Sequence, residues 1–261
     1  MAAQHKAPGG DADIATVADL FAHPARARIV MALADGRSLP ASVLADEAGI
    51  SPSSTSAHLG RLRDAGILAV EPSGRHRYFR LAGPHIADTL EALATIAPPR
   101  PVRSLREHTR AYALRRARTC YDHLAGALGV EITAALLQHG ALAVTDGIEH
   151  TGRREGDPLS APVPVHPYVL GPSAERVFGS LGVDLPACVA DRRTRRPLMR
   201  FCLDWTEQRH HLAGRLGAAL ADALQASGWI TETRGHRAIR LTATGSAGLE
   251  EHLGLGFPPQ G

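Results

Sequence analysis

LADEAGISPSSTSAHLGRLRDAGIL, residues 44–68, decides the fold. A short helical segment, with Pro40 in its opening turn, runs to Gly49, a residue suited to the left-handed position just past a helix end. A second helical segment follows over 51–65 and is closed by Gly66. On a helical wheel Thr55, Leu59 and Leu62 form an inward stripe, while Ser53, Ser54, Ala57 and Arg61 point outward and His58 sits at the flank. Two short helices joined by a tight turn, the second carrying hydroxyls and an arginine outside, describe a helix-turn-helix. Small hydroxyls bond phosphates or base edges, and an arginine grips guanine through two hydrogen bonds. Ser51, Ser53, Ser54, Ser56, His58 and Arg61 are therefore the candidate DNA contacts of this helix.

The flanking segments extend the same reading. ILAVEPSGRHRYFRLAG (67–83) is an alternating strand, a Pro-Ser-Gly turn and a second strand with Arg75, His76, Arg77 and Tyr78 around the tip, as in a wing that touches the DNA backbone or minor groove. Upstream, 13–21 and 24–33 read as two helical pieces. Downstream, PHIADTLEALATIA (84–97) is amphipathic, with Ile86, Leu90, Leu93 and Ile96 on one stripe. LFAHPARARIVMALADG (20–36), the stretch quoted first, and SGRHRYFRLAGPHIADTLEAL (73–93) together resemble the winged helix-turn-helix of the arsenical-resistance repressor family, ArsR/SmtB. The resemblance covers about residues 13–97 in the family's order. It implies a bacterial homodimer joined through its first and last helices and bound to an inverted-repeat operator in double-stranded promoter DNA, most often as a repressor. Two metal sites known in that family have no counterpart here. The helix before the recognition helix, LPASVLADEAG, carries no Cys-x-Cys, and the last helix offers His85, Asp88 and Glu91 outside the family's pattern, which marks them as ordinary surface residues.

The 261 residues leave room for a second domain, and PPRP (98–101) is the clearest boundary because proline ends helices and stiffens spacers. The division expected is a flexible tail at 1–12, the DNA-binding and dimerisation domain at 13–97, a linker at 98–103 and a sensory domain at 104–257. The second domain writes one motif twice: HLAGALG at 123–129 and HLAGRLG at 211–217, inside repeats spanning 120–183 and 208–255. Helix, glycine, strand, turn and arginine-rich strand recur, so this domain reads as two degenerate winged-helix-like half units. The fold class expected is mainly α with small β-hairpins (α+β). Gly126, Gly129, Gly214 and Gly217 fall inside the expected helices, where each costs about 0.5–1 kcal/mol relative to alanine. A crossing of the two helices at their glycines is expected to offset that cost, with a ligand lying against the bare backbone as the alternative.

With no Cys-x-Cys-type sensor in the first domain, any signal is expected beyond the linker. Three cysteines (Cys120, Cys188, Cys202) are too few and too odd in number for a disulfide framework. RTCYDH places Cys120 and His123 at i and i+3, which shares one face of a helix, and RFCLDW brings Cys202, Asp204 and Trp205 ahead of His211. Cys120, His123, Cys202, Asp204 and His211 are the candidate effector residues, fit for a soft metal such as zinc, for trivalent arsenic, or for a thiol oxidant. Core packing of these cysteines is the plain alternative, since free cysteine is among the most buried residue types. Tyr112, Tyr121, Phe201 and Trp205 near the same motifs offer instead a wall for an organic effector. Most histidines, including RHH at 209–211, are expected at the surface.

The composition agrees with a cytoplasmic regulator. Charge is nearly balanced at +3 with a pI near 9.0, which permits a polyanionic partner. No apolar run reaches membrane-spanning length, and MAAQHKAPGGDAD lacks the apolar centre of a signal peptide. A phosphate-binding glycine loop, a His-Glu-x-x-His and a nucleophile elbow are all absent from the sequence, which disfavours an enzyme. A non-DNA-binding adaptor is the remaining class, separated by specific, salt-dependent operator binding.

Overall fold

The structure, a computed structural model, describes residues 11–73, 76–98, 105–157, 161–163, 165–191, 194, 196–233 and 237–259. Expectations placed on the tail at 1–10, on the linker at 99–103 and on Arg75 lie outside the described residues.

The first domain follows its local signals. Helix α1 (Ile14–Ala22) is capped by Asp13, whose Oδ1 accepts the Thr16 N–H at 3.0 Å, and α2 (Pro24–Ala32) starts on a proline suited to its first turn. After a two-residue strand β1 (Leu39–Pro40), α3 (Ala41–Ala48) ends at Gly49 with φ +66°. Ser51 caps α4 (Pro52–Asp64), and β2 (Leu68–Ser73) and β3 (His76–Leu81) form the wing, with β1 added along the other edge of β3. Helix α5 (Pro84–Ile96) closes the domain. Ile29, Leu33, Leu44, Leu59, Leu62, Phe79, Ile86 and Leu90 share one core, so the stripe read on α4 faces inward, whereas that on α5 buries only Ile86 and Leu90 and leaves Leu93 and Ile96 exposed.

The second domain opens with α6 (Leu105–Arg116) and then builds one unit twice. In the first copy β4 (Arg118–Cys120) turns into β5 (His123–Ala125), α7 (Gly126–Gln138) follows, and β6 (Leu142–Val144) later pairs with β8 (Tyr168–Leu170). Between those last two lies β7 (Ala161–Pro162), and α8 (Ala174–Ser180) and α9 (Leu185–Ala190) lead to the second copy. There β9 (Arg200–Leu203) pairs with β10 (His210–Ala213), α10 (Gly214–Ala226) follows, β11 (Ile230–Glu232) pairs with β12 (Ile239–Leu241), and α11 (Ala243–Leu253) ends the fold. A helix followed by an antiparallel strand pair is present in both copies, a close hairpin only in the second, and each helix is preceded by a hairpin that the sequence reading did not assign.

That hairpin corrects the reading of the repeated glycines. HLA is a strand in both copies, and the following glycine opens the helix with a left-handed backbone: φ is +74° at Gly126 and +79° at Gly214. A Cβ there would lie 2.6 Å from the Arg115 carbonyl oxygen or 2.8 Å from the Arg200 amide, so only glycine fits. Nor do the helices cross at their glycines. Strand β5 lies on α10 and β10 on α7, and Gly217 gives room to the His123 Cβ, which a Cβ at 217 would approach to 3.3 Å. The buried Thr133 hydroxyl on α7 accepts the Leu212 N–H of β10 at 2.9 Å, tying the interlock.

The domains are docked through the first hairpin. At its turn Tyr121 takes φ +60°, donates its N–H to the Ala34 carbonyl at 3.1 Å and lays its ring against Gly36 and the first domain's core. On its first strand Arg118, fully buried, reaches to within 3.8 Å of Glu91 on α5, and Arg237 hydrogen-bonds the same carboxylate. Glu91 is thus a buried ion-pair member and not a surface residue, because two guanidinium groups from the second domain cover it.

Candidate metal centre and DNA-binding surface

Helix α4 presents Ser53, Ser54, Ser56 and Arg61 to solvent with Ser51 at its cap, while Thr55, Leu59 and Leu62 are buried. The hydroxyls are already engaged locally: Ser51 Oγ lies 3.0 Å from both Ser53 Oγ and Ser54 Oγ, and Ser56 donates to the Pro52 carbonyl. His58 packs against His23 with the rings tilted and their centroids 4.4 Å apart, and burial together with the neighbouring His23, Arg26 and Arg61 charges lowers its pKa. On the wing Arg77 is exposed and Tyr78 half-buried, and of His76 only the backbone is described. A groove between α4 and the wing is lined by Ser42, Ser56, Gly60, Arg63 and Arg77. Ser42 and Arg63 were not singled out in the sequence, because neither lies on the face of α4 read outward there.

The candidate effector residues converge. The two-residue turn Tyr121-Asp122 sets Cys120 directly across the ladder from His123, and in the second hairpin Cys202 stands opposite His211. Cys120 and His123 therefore share a strand pair and not a helical face, because the left-handed Tyr121 reverses the chain where a helix was expected. The interlock of the two copies then brings all four together. One donor atom from each of Cys120, His123, Cys202 and His211 lies within 4.8 Å of the others, and all four residues are buried. The imidazole centroids are 5.2 Å apart. Cys188 stays apart on α9 as a half-buried thiol.

Asp204 sits behind this cluster. Its carboxylate accepts from Arg118 at 2.8 Å, from the Gly126 amide at 2.7 Å and from the Thr206 hydroxyl at 2.7 Å, and lies 3.5 Å from His211 Nδ1. Burial alone raises a carboxyl pKa, but Arg118, His211 and these hydrogen bonds override it and hold Asp204 well below the usual range. In the other copy Asp122 Oδ1 faces His123 Nδ1 at 3.3 Å and is gripped by Arg196. Each imidazole thus has a carboxylate beside Nδ1. His123 Nε2 and both nitrogens of His211 make no hydrogen bond, although buried. Burial lowers the His211 pKa to about 3, keeping the ring neutral, and the hydrogen bond to Cys202 together with burial pushes the Cys120 thiol well above its ordinary value.

Two other expectations are corrected. The aromatic residues do not form one wall: Tyr112 is exposed, Tyr121 packs on the first domain, Phe201 is buried against Tyr168, and Trp205 stacks under Arg118. His210 and His211 are buried, not surface residues, with His210 bridging the Tyr168 hydroxyl and Asp157 at 2.8 Å each. Arg118 and Arg196 escaped the sequence reading, Glu91 was read as a surface residue, and Asp122 was not among the candidate effector residues. The available signal was YD between Cys120 and His123, which as a two-residue turn pairs the thiol with the imidazole.

Comparison with known proteins agrees with this organisation. A helix-turn-helix domain family (HTH_20) matches residues 21–71. YdfF of Bacillus subtilis, an uncharacterized HTH-type transcriptional regulator, is 38% identical over 243 residues, which is 93% of this chain and 98% of YdfF. The chain belongs to the HTH-type (helix-turn-helix) transcriptional regulators. The likeness to YdfF runs through the second domain, so the regulator shares its extension with that relative. The HTH-type transcriptional regulator CmtR of Mycobacterium tuberculosis is 35% identical over 83 residues, 32% of this chain and 70% of CmtR. An NMR structure of the cadmium metal-sensor CmtR from the same organism shows 32% identity over 35% of this chain and 99% of that one, with a TM-score of 0.28. These relatives are transcriptional regulators, not enzymes. Among the described residues no helix is long and apolar enough to cross a membrane.

Proposed function

We propose that this regulator is a cytoplasmic homodimer that represses transcription from an inverted-repeat operator, and that its second domain adjusts operator affinity in response to a thiol-directed signal at Cys120 and Cys202. The single observation that carries the sensory half is the buried junction where two thiols and two imidazoles from separate repeats meet. Soft metal ions, trivalent arsenic and thiol oxidants are the chemical classes that such a pair of thiols answers. The DNA-binding half is supported by the exposed Arg61 on α4 and Arg77 on the wing.

The test is operator binding by the full chain. Arg61→Ala costs about 1–3 kcal/mol on a true operator, as expected for a base-reading arginine. Arg77→Ala weakens binding to all sequences and lowers the salt slope by about one. If the chain binds no genomic fragment more tightly than random duplex, the reading is wrong.

A further inference from the structure

We propose that Cys120, His123, Cys202 and His211 form a closed, four-coordinate site for a divalent d¹⁰ cation of the zinc and cadmium class. This rests on the thiol-directed reading above and chooses among its three signals. A tetrahedral ion about 2.0–2.3 Å from nitrogen and sulfur ligands spaces those donors about 3.3–3.8 Å apart. Four donors already within 4.8 Å of one another meet that spacing with small side-chain adjustments.

The hydrogen-bond accounting singles out the same ion. Buried polar atoms are nearly always satisfied, yet His123 Nε2 and His211 Nε2 have no partner. At each ring the opposite nitrogen faces a carboxylate, Asp122 at 3.3 Å and Asp204 at 3.5 Å. A carboxylate behind Nδ1 with Nε2 left bare is the arrangement that fixes and strengthens a metal-binding imidazole. Both carboxylates are themselves held, Asp122 by Arg196 and Asp204 by Arg118, so neither is free to compete as a ligand.

The other two signals fit less well. A Cys120–Cys202 disulfide engages only sulfur and leaves the imidazole nitrogens bare. Trivalent arsenic binds through sulfur, and among the described residues the cluster brings only two thiols together, Cys188 lying elsewhere. The cation satisfies all four donors. Charge balances as well: on binding M²⁺ the donors give up their protons to buffer, and two thiolates with two neutral imidazoles leave a site of zero net charge. Such neutrality suits a site whose four ligands are each at most 5% exposed. With no solvent-open position it is a staple between the repeats, not a catalytic centre.

Cobalt(II) is the probe. The reduced full chain, stripped with a chelator, is expected to bind one equivalent with intense visible d–d bands and thiolate-to-cobalt charge transfer, both erased by one equivalent of zinc or cadmium. Zinc also protects two thiols from a thiol reagent. Cys120→Ser and Cys202→Ser each remove about half of the charge-transfer intensity. Asp122→Asn, a milder change at a half-exposed residue, weakens cobalt binding about 10–100-fold while the bands persist, as loss of an outer carboxylate does. Weak octahedral bands, or thiols equally reactive with and without zinc in a folded protein, overturn the site. Operator binding is measured in parallel with zinc, arsenite and an oxidant. A response to arsenite or oxidant without tetrahedral cobalt overturns the cation class and leaves the thiol-directed reading standing. Tetrahedral cobalt with no operator response to any of the three overturns the sensory reading and leaves the site standing.

Discussion

Glu91→Gln tests how the second domain is read by the first. Glu91 is 4% exposed on α5, accepts a hydrogen bond from Arg237 and lies 3.8 Å from Arg118, which binds Asp204 behind the candidate cluster at 2.8 Å. The amide keeps the shape and removes the charge. At an effective dielectric near 20, unit charges about 4 Å apart interact by about 4 kcal/mol, and removing one member of a buried pair typically costs about 3–5 kcal/mol. Arg118 keeps Asp204 as a partner, so the lower end applies, and we expect a loss of about 3 kcal/mol. That loss falls on the docking of α5 against the first hairpin. The assay is a double-mutant cycle of Glu91→Gln with Arg237→Gln by urea unfolding of the metal-free chain. A coupling energy of about 2 kcal/mol or more is expected, whereas a value under about 0.5 kcal/mol refutes the inference that this ion pair holds the domains together. Glu91→Gln should also leave cobalt binding intact and blunt the operator's response to metal. An unchanged response shows that the signal reaches the DNA by another route.

Three further outcomes follow from particular residues. Gly126→Ala and Gly214→Ala each force a left-handed alanine into backbone closer than 3 Å, so each should destabilise by about 2 kcal/mol or more in thermal or urea unfolding, with stability equal to wild type counting against the hairpin-to-helix turn. Ile14 and Ile96 are 75% and 66% exposed on the two helices expected to join protomers, so Ile96→Glu should shift light scattering of the full chain from dimer toward monomer, and a monomeric wild type removes this interface. Acid should weaken the metal-free protein in two stages: His211 stays neutral in the fold to about pH 3, so the unfolded chain gains its proton first as pH falls below about 6.5, and Asp204's share, full above about pH 4, is lost as its depressed value is approached. Unfolding midpoints that stay level from neutrality to about pH 5 contradict the buried neutral His211.

The first domain was legible because its signals are local and periodic. Gly49, Ser51, the Thr55-Leu59-Leu62 stripe and the wing turn each act within a few residues, and nothing elsewhere in the chain contradicts them. The second domain carried its repeat openly but concealed its strands. HLAG reads as helical because alanine and leucine favour helices, yet His123–Ala125 and His210–Ala213 are strands whose partners lie just upstream. A left-handed residue ahead of each strand, Tyr121 and Gln208, makes the difference, and neither tyrosine nor glutamine gives warning of positive φ. The candidate effector residues do converge, but by another geometry: a strand ladder, and not a helical i, i+3 pair, sets Cys120 against His123 and brings both to their counterparts. Glu91 reads as a surface residue for a related reason, since its partners Arg118 and Arg237 stand far along the chain in another domain. Long-range charge pairs leave no local pattern. Where a duplicated motif ends in Cys and His, the more informative question is which partner strand faces it, because pseudo-symmetry supplies the second half of any site that one copy can only half build.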